Sequence, residues 1–510
     1  MNLTYKKYII PIFTGFILFL SYMLQKKLLL SGDVGYLLHA TKQLLLGGKY
    51  GEDFFETNPP MILYLYTPAV LLAKYSSFSI IFSFHLYMYF LCFLSCVLSF
   101  YLLIKILPDD DFVLRIFLFF VILFIIFLLP MSSFGQREHL VMILTLPYVL
   151  GASLRIMGYP IPLRIAFLIG LIGGLGFAIK PYFLPTLCLI ELYFVYKKRH
   201  LLAWMRVESL MVLSVLVLYF VSILLFQPEY IKIILPLLTK YYFPFIKKPW
   251  VELFQFGTVL FILAMIIAYP FFLKYDRYPA LGNLLFLSLV GTFIAVLLSG
   301  APWFYHVIPA FSFASLLLVY YTSHIFQPIF KKPISITDIF FLILANAVIF
   351  IYPIRIWYKL LMMLLSVYAY DSIVEMKEYF LSKPGNYSVT CFALTTLDCF
   401  PLVYHINGRY DGRFPLFWWL HGLNNLEKLT DGRKRSQIEK NKNHLINAIA
   451  SDLNRYQTRW IILDKKIFKA DQESFIQYFS KNENFKEAFS HYTYRTMIND
   501  REIYERSNPS

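Results

Sequence analysis

Charge is scarce in this sequence. Only 15% of its 510 residues are Asp, Glu, Lys or Arg, whereas 58% are hydrophobic and the mean hydropathy is +0.60. Soluble globular chains carry about 25% charged residues. The composition excludes a soluble enzyme, a disordered protein and a coiled coil, because apolar runs of membrane-spanning length recur from residue 9 to about residue 354.

Cysteine is also rare, and no internal repeat is visible. Three of the five cysteines fall inside apolar runs, where packing explains them. Cys391 and Cys399 lie in the polar tail, where an oxidising compartment permits a disulfide, and the sequence leaves the paired and free states open. Secondary transporters often contain repeated halves with broken helices, so the missing repeat argues against that class.

Basic residues outnumber acidic ones, and most of the excess lies in the apolar part of the chain. The chain has 47 Lys and Arg against 31 Asp and Glu, a net charge of +16. From Asp371 onward there are 20 basic and 17 acidic residues, which leaves 27 and 14 before it and an excess of +13 in the apolar part. Basic residues in short loops orient membrane spans. The excess is therefore a topology signal, and no nucleic-acid partner is predicted.

The apolar part holds eleven segments of about the 20 residues that a membrane span needs. They run near 9–25, 80–107, 112–130, 139–157, 162–179, 181–197, 207–226, 251–273, 280–299, 303–322 and 335–354. With the N-terminus in the cytosol, Lys and Arg concentrate in the inside connections, while the short outside ones hold little beyond Arg137 and Lys180. This predicts a multi-pass protein of the bacterial cytoplasmic membrane.

The predicted fold is an α-helical multi-span membrane domain followed by a small α/β domain. Residues 1–354 form the transmembrane domain, whose first outside loop is 26–79. Residues 355–370 form an interfacial linker helix, and 371–510 form a periplasmic domain of mixed charge.

Four elements of the tail are predicted from alternation and helical periodicity. Tyr387–Leu394 and Arg459–Leu463 are predicted as buried strands, and Ser436–Tyr456 and Glu473–Phe479 as helices.

The first outside loop carries the most informative pattern. Apolar residues recur at helical spacing after Asp33, and Gly47-Gly48 would end that helix. Pro59-Pro60 then opens a second short helix, so two interfacial helices bracket an acidic turn at the membrane surface. Asp33 has two open interpretations, because Asp is a preferred helix N-cap and also a suitable general base.

Three further polar groups project to the outer leaflet in this topology. Each has a structural alternative: a solvated loop for Arg137-Glu138-His139, snorkelling for Lys180, and aromatic packing for His306 beside Tyr305. Ionisable residues at membrane depth usually mark function. The predicted pocket is lined by Asp33, Glu56, Arg137, Glu138, His139, Lys180 and His306.

Two other polar stretches have weaker interpretations. Arg409 and Arg413 beside aromatic residues would bind an anionic saccharide or cover the pocket, or belong to a loop that packs its aromatics. Asp109-Asp110-Asp111 resembles the acidic metal motif of nucleotide-sugar transferases, but it lies between two spans without a nucleotide domain. A solvated connector is predicted there.

The first loop resembles a known family. An Asp just after the first span, an interfacial helix, then Phe54-Phe55-Glu56 followed by Pro and a second interfacial helix resemble the GT-C glycosyltransferases that use polyprenyl-phosphate sugars. These include protein O-mannosyltransferases, lipid A aminoarabinose transferases and related lipopolysaccharide sugar transferases. The match is best over residues 31–75. It implies that Asp33 is the catalytic first-loop carboxylate and Glu56 a metal-associated residue, although Val34 stands where many relatives have a second acid.

The predicted function is transfer of a hexosyl or pentosyl residue from a polyprenyl-phosphate donor to a hydroxyl of a lipopolysaccharide, glycolipid, glycan or protein. Asp33 is the candidate base, and Glu56 is the candidate ligand of a divalent metal cation, the one cofactor considered. Arg137, Lys180 and His306 are candidates for the donor phosphate. The remaining pocket candidates are Asp53, Glu138, His139, Tyr305, Arg409 and Arg413. A lipid-linked oligosaccharide ligase or polymerase and a lipid or solute transporter are the alternatives.

Overall fold

A computed structural model describes residues 3–246, 249–301, 303–329, 356, 358–363, 371–393, 396, 399–428, 433–464 and 474–507. The chain divides into two compact units. The first unit combines Met1–Leu28, His85–Val221 and Lys247–Val367, and the second combines Leu29–Phe84, Ser222–Ile246 and Tyr368–Ser510.

Twelve longer helices precede the tail in the described part of the chain. They are α1 (Leu3–Lys27), α2 (Gly32–Leu45), α3 (Met61–Tyr75), α4 (Ile80–Ile106), α5 (Phe112–Phe127), α6 (Arg137–Ile156), α7 (Leu163–Ala178), α8 (Leu184–Lys198), α9 (Val207–Phe226), α10 (Gly257–Phe272), α11 (Pro279–Ser299) and α12 (Phe304–Ile329).

Ten of the eleven predicted spans correspond to helices, namely α1 and α4 to α12, while 335–354 lies outside the described residues. By length and apolar composition, five helices of the described residues can cross a membrane: α4, α6, α9, α11 and α12. The number is seven if two sharply bent helix pairs are each taken as one span. The chain is therefore an integral membrane protein, and eleven spans stays a prediction.

Helix α6 lies at the centre of the first unit. Within its most apolar 18-residue window, 89% of the residues are buried, against 22% for α9. Since α9 is the more hydrophobic of the two, its exposed side chains suit contact with lipid. The central helix is the one that begins with charged residues.

Helix α7 runs antiparallel to α6, and glycines allow the close approach. A Cβ added at Gly151 would lie 3.6 Å from Ile169, one at Gly173 3.2 Å from Tyr148, and one at Gly176 2.8 Å from Thr145. Small residues at such contacts are typical of membrane helices. Helix α8 returns along α6, since Lys198 Nζ donates to the Ile156 carbonyl at 3.3 Å. The pair α7 and α8, bent by 120°, therefore goes to the Arg137 end of α6 and back.

Replacing Gly170 by Ala is expected to lower the melting temperature of the detergent-purified protein. The new Cβ would meet the Glu208 carbonyl oxygen at 2.5 Å and Met211 Cβ at 2.7 Å, and such overpacking costs about 1–3 kcal/mol. Gly151→Ala is the matched control, because its Cβ would make only ordinary contacts and a helix favours Ala over Gly. Equal melting temperatures for the two variants would contradict this packing.

The connections predicted to be cytosolic contact one another. Asp111 accepts a hydrogen bond from Arg277 Nη1 at 3.0 Å, and Arg155 Nε donates to Glu208 Oε1 at 2.9 Å. The predicted solvated connector is confirmed for Asp109 and Asp110, which are exposed. It is wrong for Asp111, because only 2% of this residue is exposed and it also accepts from the Tyr278 hydroxyl. Both hydrogen bonds join loops that the predicted topology places on one side of the membrane. Whether that side is the cytosol stays a prediction.

In the second unit, the first loop has the two predicted helices. Gly47 has a φ of +86°, a conformation that glycine adopts readily, just beyond the end of α2. Pro60 is the N-cap of α3. The N-cap of α2 is Ser31, and Asp33 lies within the first turn. The N-cap interpretation of Asp33 is therefore wrong.

A third segment joins this unit through two π-helical turns, Tyr230–Ile234 and Leu238–Tyr242. The Tyr230 hydroxyl donates to the Thr57 carbonyl at 3.4 Å, and Asn441 Nδ2 donates to the Tyr241 hydroxyl at 2.6 Å. The segment thus contacts both the first loop and the tail. The predicted topology places the first loop and the tail outside.

The tail contains a five-stranded mixed sheet. Its strands are β1 (Ser388–Phe392), β2 (Arg409–Tyr410), β3 (Trp460–Asp464), β4 (Tyr492–Ile498) and β5 (Arg501–Arg506), in the order β2-β1-β3-β5-β4. Strand β1 is parallel to β2 and β3, and β5 is antiparallel to β3 and β4. The two predicted buried strands are confirmed as the central pair β1 and β3.

Six helices surround this sheet in the described residues. They are α13 (Asp371–Leu381), α14 (Cys399–His405), α15 (Trp418–Lys428), α16 (Arg433–Tyr456), α17 (Phe475–Phe479) and α18 (Glu483–Phe489). Helices α16 and α17 confirm the two predicted ones. Most of the predicted linker helix 355–370 lies outside the described residues, and residues 356 and 358–363 are helical.

Cys391 and Cys399 form a disulfide, with 6.1 Å between their Cα atoms. It ties the end of β1 to the first residue of α14. A disulfide agrees with the predicted position of the tail outside the cytosol.

Candidate active site

A buried charged group lies at the start of α6. Lys180 Nζ is 2.6 Å from Glu138 Oε1, and Arg137 Nε is 4.0 Å from Glu138 Oε2. Exposure is 6% for Arg137, 2% for Glu138 and 8% for Lys180. The alternative that Arg137 and Glu138 belong to a solvated loop is therefore wrong about solvation, because both residues are buried.

Two residues at the start of α12 border this group. The Arg137 guanidinium lies over the Tyr305 ring, 5.6 Å from its centroid. The rings of Tyr305 and His306 are 4.4 Å apart, and His306 interacts electrostatically with Glu138. Arg137, Glu138, Lys180, Tyr305 and His306 are named here the Glu138 cluster. Tyr305 and His306 are only half-buried, so they form its accessible side.

The Glu138 cluster contains two cations and one carboxylate. Arg137 and Lys180 each carry a positive charge, and Glu138 carries a negative one. A planar guanidinium and an ammonium around one carboxylate match an anionic ligand such as a phosphate.

His139 is held by the backbone. Its Nδ1 accepts from the Gly135 N–H at 3.0 Å, so Nε2 carries the proton and donates to the Ile126 carbonyl at 2.8 Å. The side chain is fully buried. His139 therefore fixes the turn before α6, and neither ring nitrogen is left for a ligand.

Asp33 lies in the second unit, half-buried in the first turn of α2. Its Oδ1 accepts a hydrogen bond from the Thr396 hydroxyl at 2.8 Å. A carboxylate at a helix N-terminus is stabilised by the helix dipole. Asp33 is thus a positioned carboxylate next to the tail domain.

Glu56 is buried, with 4% exposure, and is surrounded by hydrogen-bond donors. Its Oε1 accepts from the main-chain N–H of Asn58 at 2.6 Å and from the Asn58 side chain. These donors all point at Oε1, and a carboxylate that binds a metal ion is itself commonly hydrogen-bonded. Among the residues that the structure describes, no group of three or more His, Cys, Asp or Glu is placed to hold a metal ion. Metal binding by Glu56 stays a prediction.

Arg409 and Arg413 each pair with a neighbouring carboxylate of the tail. Arg409 binds Asp411 through Nε at 2.6 Å and Nη2 at 3.1 Å, and Arg413 binds Asp452 through Nη2 at 2.7 Å. Burial raises the pKa of Asp411, while the hydrogen bonds from Arg409 act in the opposite direction. These contacts favour the interpretation of a packed loop.

Asp53 and Arg413 connect the first loop to the tail. Asp53 Oδ1 is 3.1 Å from Arg455 Nη1 at the end of α16, and the Phe55 N–H donates to the Arg413 carbonyl at 2.8 Å. Asp53 therefore holds the acidic turn against the tail domain.

The chain matches solved structures, whereas no protein-family model and no curated protein matches its sequence. ArnT from Cupriavidus metallidurans bound to undecaprenyl phosphate is 11% identical with a TM-score of 0.50, and its apo state is 10% identical with a TM-score of 0.52. Both comparisons cover 97% of this chain and 97% of the ArnT chain. The chain has a GT-C-like fold.

This GT-C-like fold brings the candidate residues together in two sets. Arg137, Glu138, Lys180, Tyr305 and His306 are gathered in the first unit. Asp33, Asp53, Glu56, Arg409 and Arg413 belong to the second unit. A single pocket formed by both sets stays a prediction.

One polar residue of the GT-C-like fold was not predicted from the sequence. Thr396, which binds Asp33, lies in a stretch without periodicity or a motif. Its only sequence signal is its position between the two tail cysteines. That signal becomes informative once the disulfide and the contact of the tail with α2 are known.

Proposed function

We propose that this chain is a membrane glycosyltransferase that moves one sugar from a polyprenyl-phosphate donor to an acceptor hydroxyl. The observation that carries the proposal is the Glu138 cluster, in which two buried cations and a buried carboxylate meet at the end of the central helix. It occurs in a chain with the fold of ArnT, a protein that has been crystallised with undecaprenyl phosphate. The lipid chain of such a donor would lie in the membrane and its phosphate at the helix ends.

The charge of the cluster suits the leaving group. The donor phosphate is a diester with one negative charge, which a guanidinium and an ammonium group attract. When the bond between the sugar and the phosphate oxygen breaks, that oxygen keeps the electron pair and the phosphate gains a second negative charge. Arg137 and Lys180 stabilise this charge, and His306 on the accessible side donates a hydrogen bond or a proton to it.

The acceptor must lose a proton during the same step. Its hydroxyl oxygen forms the new bond to the sugar carbon, and we assign the hydroxyl proton to the Asp33 carboxylate. No step in this scheme uses a metal ion. The reaction is placed at the outer face of the bacterial cytoplasmic membrane, with the N-terminus cytosolic and the tail periplasmic.

The test compares envelope glycans from cells with and without the protein by mass spectrometry, normalised to the amount of membrane-inserted protein. We call this the glycan-transfer assay. The expected result is the loss of one hexose or pentose from a lipopolysaccharide, glycolipid, glycan or protein fraction when the gene is deleted. Loss of a preassembled chain would instead indicate a ligase, and an unchanged profile would contradict the proposal.

A further inference from the structure

We propose that Thr396 is a positioning residue for the Asp33 carboxylate and that the Cys391–Cys399 disulfide holds Thr396 in place. The inference rests on the proposed function, because it assigns the tail domain a part in the transfer step. It goes beyond that function by assigning the disulfide a role in activity.

The first observation is a direct hydrogen bond. Thr396 Oγ1 donates to Asp33 Oδ1 at 2.8 Å, across 363 positions of sequence. Thr396 is buried, with 6% exposure, while Asp33 is half-buried. A buried hydroxyl that donates to a carboxylate fixes the direction in which the carboxylate points. The contact therefore restricts the rotation of the side chain assigned as the base.

The second observation concerns what holds Thr396. It lies between Cys391, near the end of central strand β1, and Cys399, the first residue of α14. Cys391 is paired in the sheet opposite Ile462 of β3, so one end of the bridge is anchored in the core of the domain. The disulfide keeps the Cα atoms of Cys391 and Cys399, which flank Thr396 in the sequence, 6.1 Å apart.

The third observation is that α14 also packs directly on α2. The rings of Phe400 and Tyr36 are 5.0 Å apart in an edge-to-face arrangement. A Cβ added at Gly35 would lie 2.8 Å from Phe400 Cβ, and the Tyr404 hydroxyl donates to the Gly35 carbonyl at 3.1 Å. Helix α14 thus contacts α2 next to Asp33. The disulfide links α14 to β1. The helix that packs on α2 and the segment that contains Thr396 are therefore anchored by the same bond.

Such positioning affects the rate of transfer more than binding. A base must lie within hydrogen-bond reach of the acceptor hydroxyl in the transition state, and small misplacements reduce rates strongly. A hydrogen bond to a charged group contributes about 1.5–3 kcal/mol, which corresponds to roughly a 10- to 100-fold change. Thr396→Val should lower product formation in the glycan-transfer assay by about that factor.

The decisive comparison uses two controls. Thr396→Ser keeps the hydroxyl and should restore product formation to near the wild-type value. Tyr404→Phe removes one hydrogen bond from the same contact between α14 and α2 without touching Asp33. It should leave product formation within about twofold, because the base keeps its hydrogen bond from Thr396. If Thr396→Val and Tyr404→Phe lower it equally, or if Ser does not rescue, Thr396 is only structural and the proposal is overturned.

The role of the disulfide is tested by combining the cysteine substitutions with Thr396→Val. Replacing both cysteines by Ser should reduce product formation about as much as Thr396→Val, and adding Thr396→Val to that variant should cause no further loss, because the two changes act through one residue. Independent, multiplicative losses would overturn the role of the disulfide. Failure of the proposed function is distinguishable, since wild-type and deletion cells would then show the same glycans.

Discussion

Replacing Asp33 by Asn is expected to lower product formation in the glycan-transfer assay by at least about a hundredfold, since general bases contribute about 10²- to 10⁴-fold. The side chain keeps its shape, and its amide oxygen still accepts the hydrogen bond from Thr396, which lies 2.8 Å from Asp33 Oδ1. The variant should therefore fold and insert normally. What it loses is the ability to take a proton from the acceptor hydroxyl.

Glu52→Gln is the matched control for this variant. Glu52 is an acidic residue of the same loop with an exposed side chain, so neutralising it changes the loop charge equally. Its product formation and membrane level should equal those of the wild type. If Asp33→Asn keeps wild-type activity, Asp33 is not the base. If both variants lose activity, loop charge rather than proton transfer is responsible.

The helices and central strands could be predicted because their signals are local. Apolar runs gave the helix positions of α4, α9 and α11 to within a few residues, and alternation gave β1 and β3. The grouping of α2 with the tail was not predicted. It depends on contacts such as Tyr404 with Gly35, which are 369 positions apart and leave no periodic trace in the sequence.

For the candidate site too, the sequence indicated which residues to consider but not which residues they contact. Few charges occur near the predicted outer ends, so Arg137 and Lys180 could be selected on composition alone. Their relation through Glu138 could not, because Lys180 is 42 positions away. His139 had the same composition signal, yet its ring is held by Gly135 and Ile126. Only the packing of the turn before α6 separates these cases.

A second large effect is expected when Lys180 is replaced by Met. Glu138 is 2% exposed and loses its closest cation, which lies 2.6 Å from Oε1. Removing one partner of a buried ion pair costs about 3–5 kcal/mol, so the melting temperature of the detergent-purified protein should fall clearly. Stabilisation by added undecaprenyl phosphate should also weaken, by about 10- to 100-fold in apparent affinity for one lost charged contact.

The double variant Glu138→Gln with Lys180→Met separates folding from ligand binding. In the double variant the carboxylate that lost its closest cation is itself neutral, so most of the lost melting temperature should return, because neutral replacements of buried ion pairs are tolerated. The cation that we assign to the phosphate is still missing, so thermal stabilisation by undecaprenyl phosphate should stay weak. Recovery of both properties would mean that Lys180 serves only to neutralise Glu138. Recovery of stability alone would identify Lys180 as part of the phosphate site.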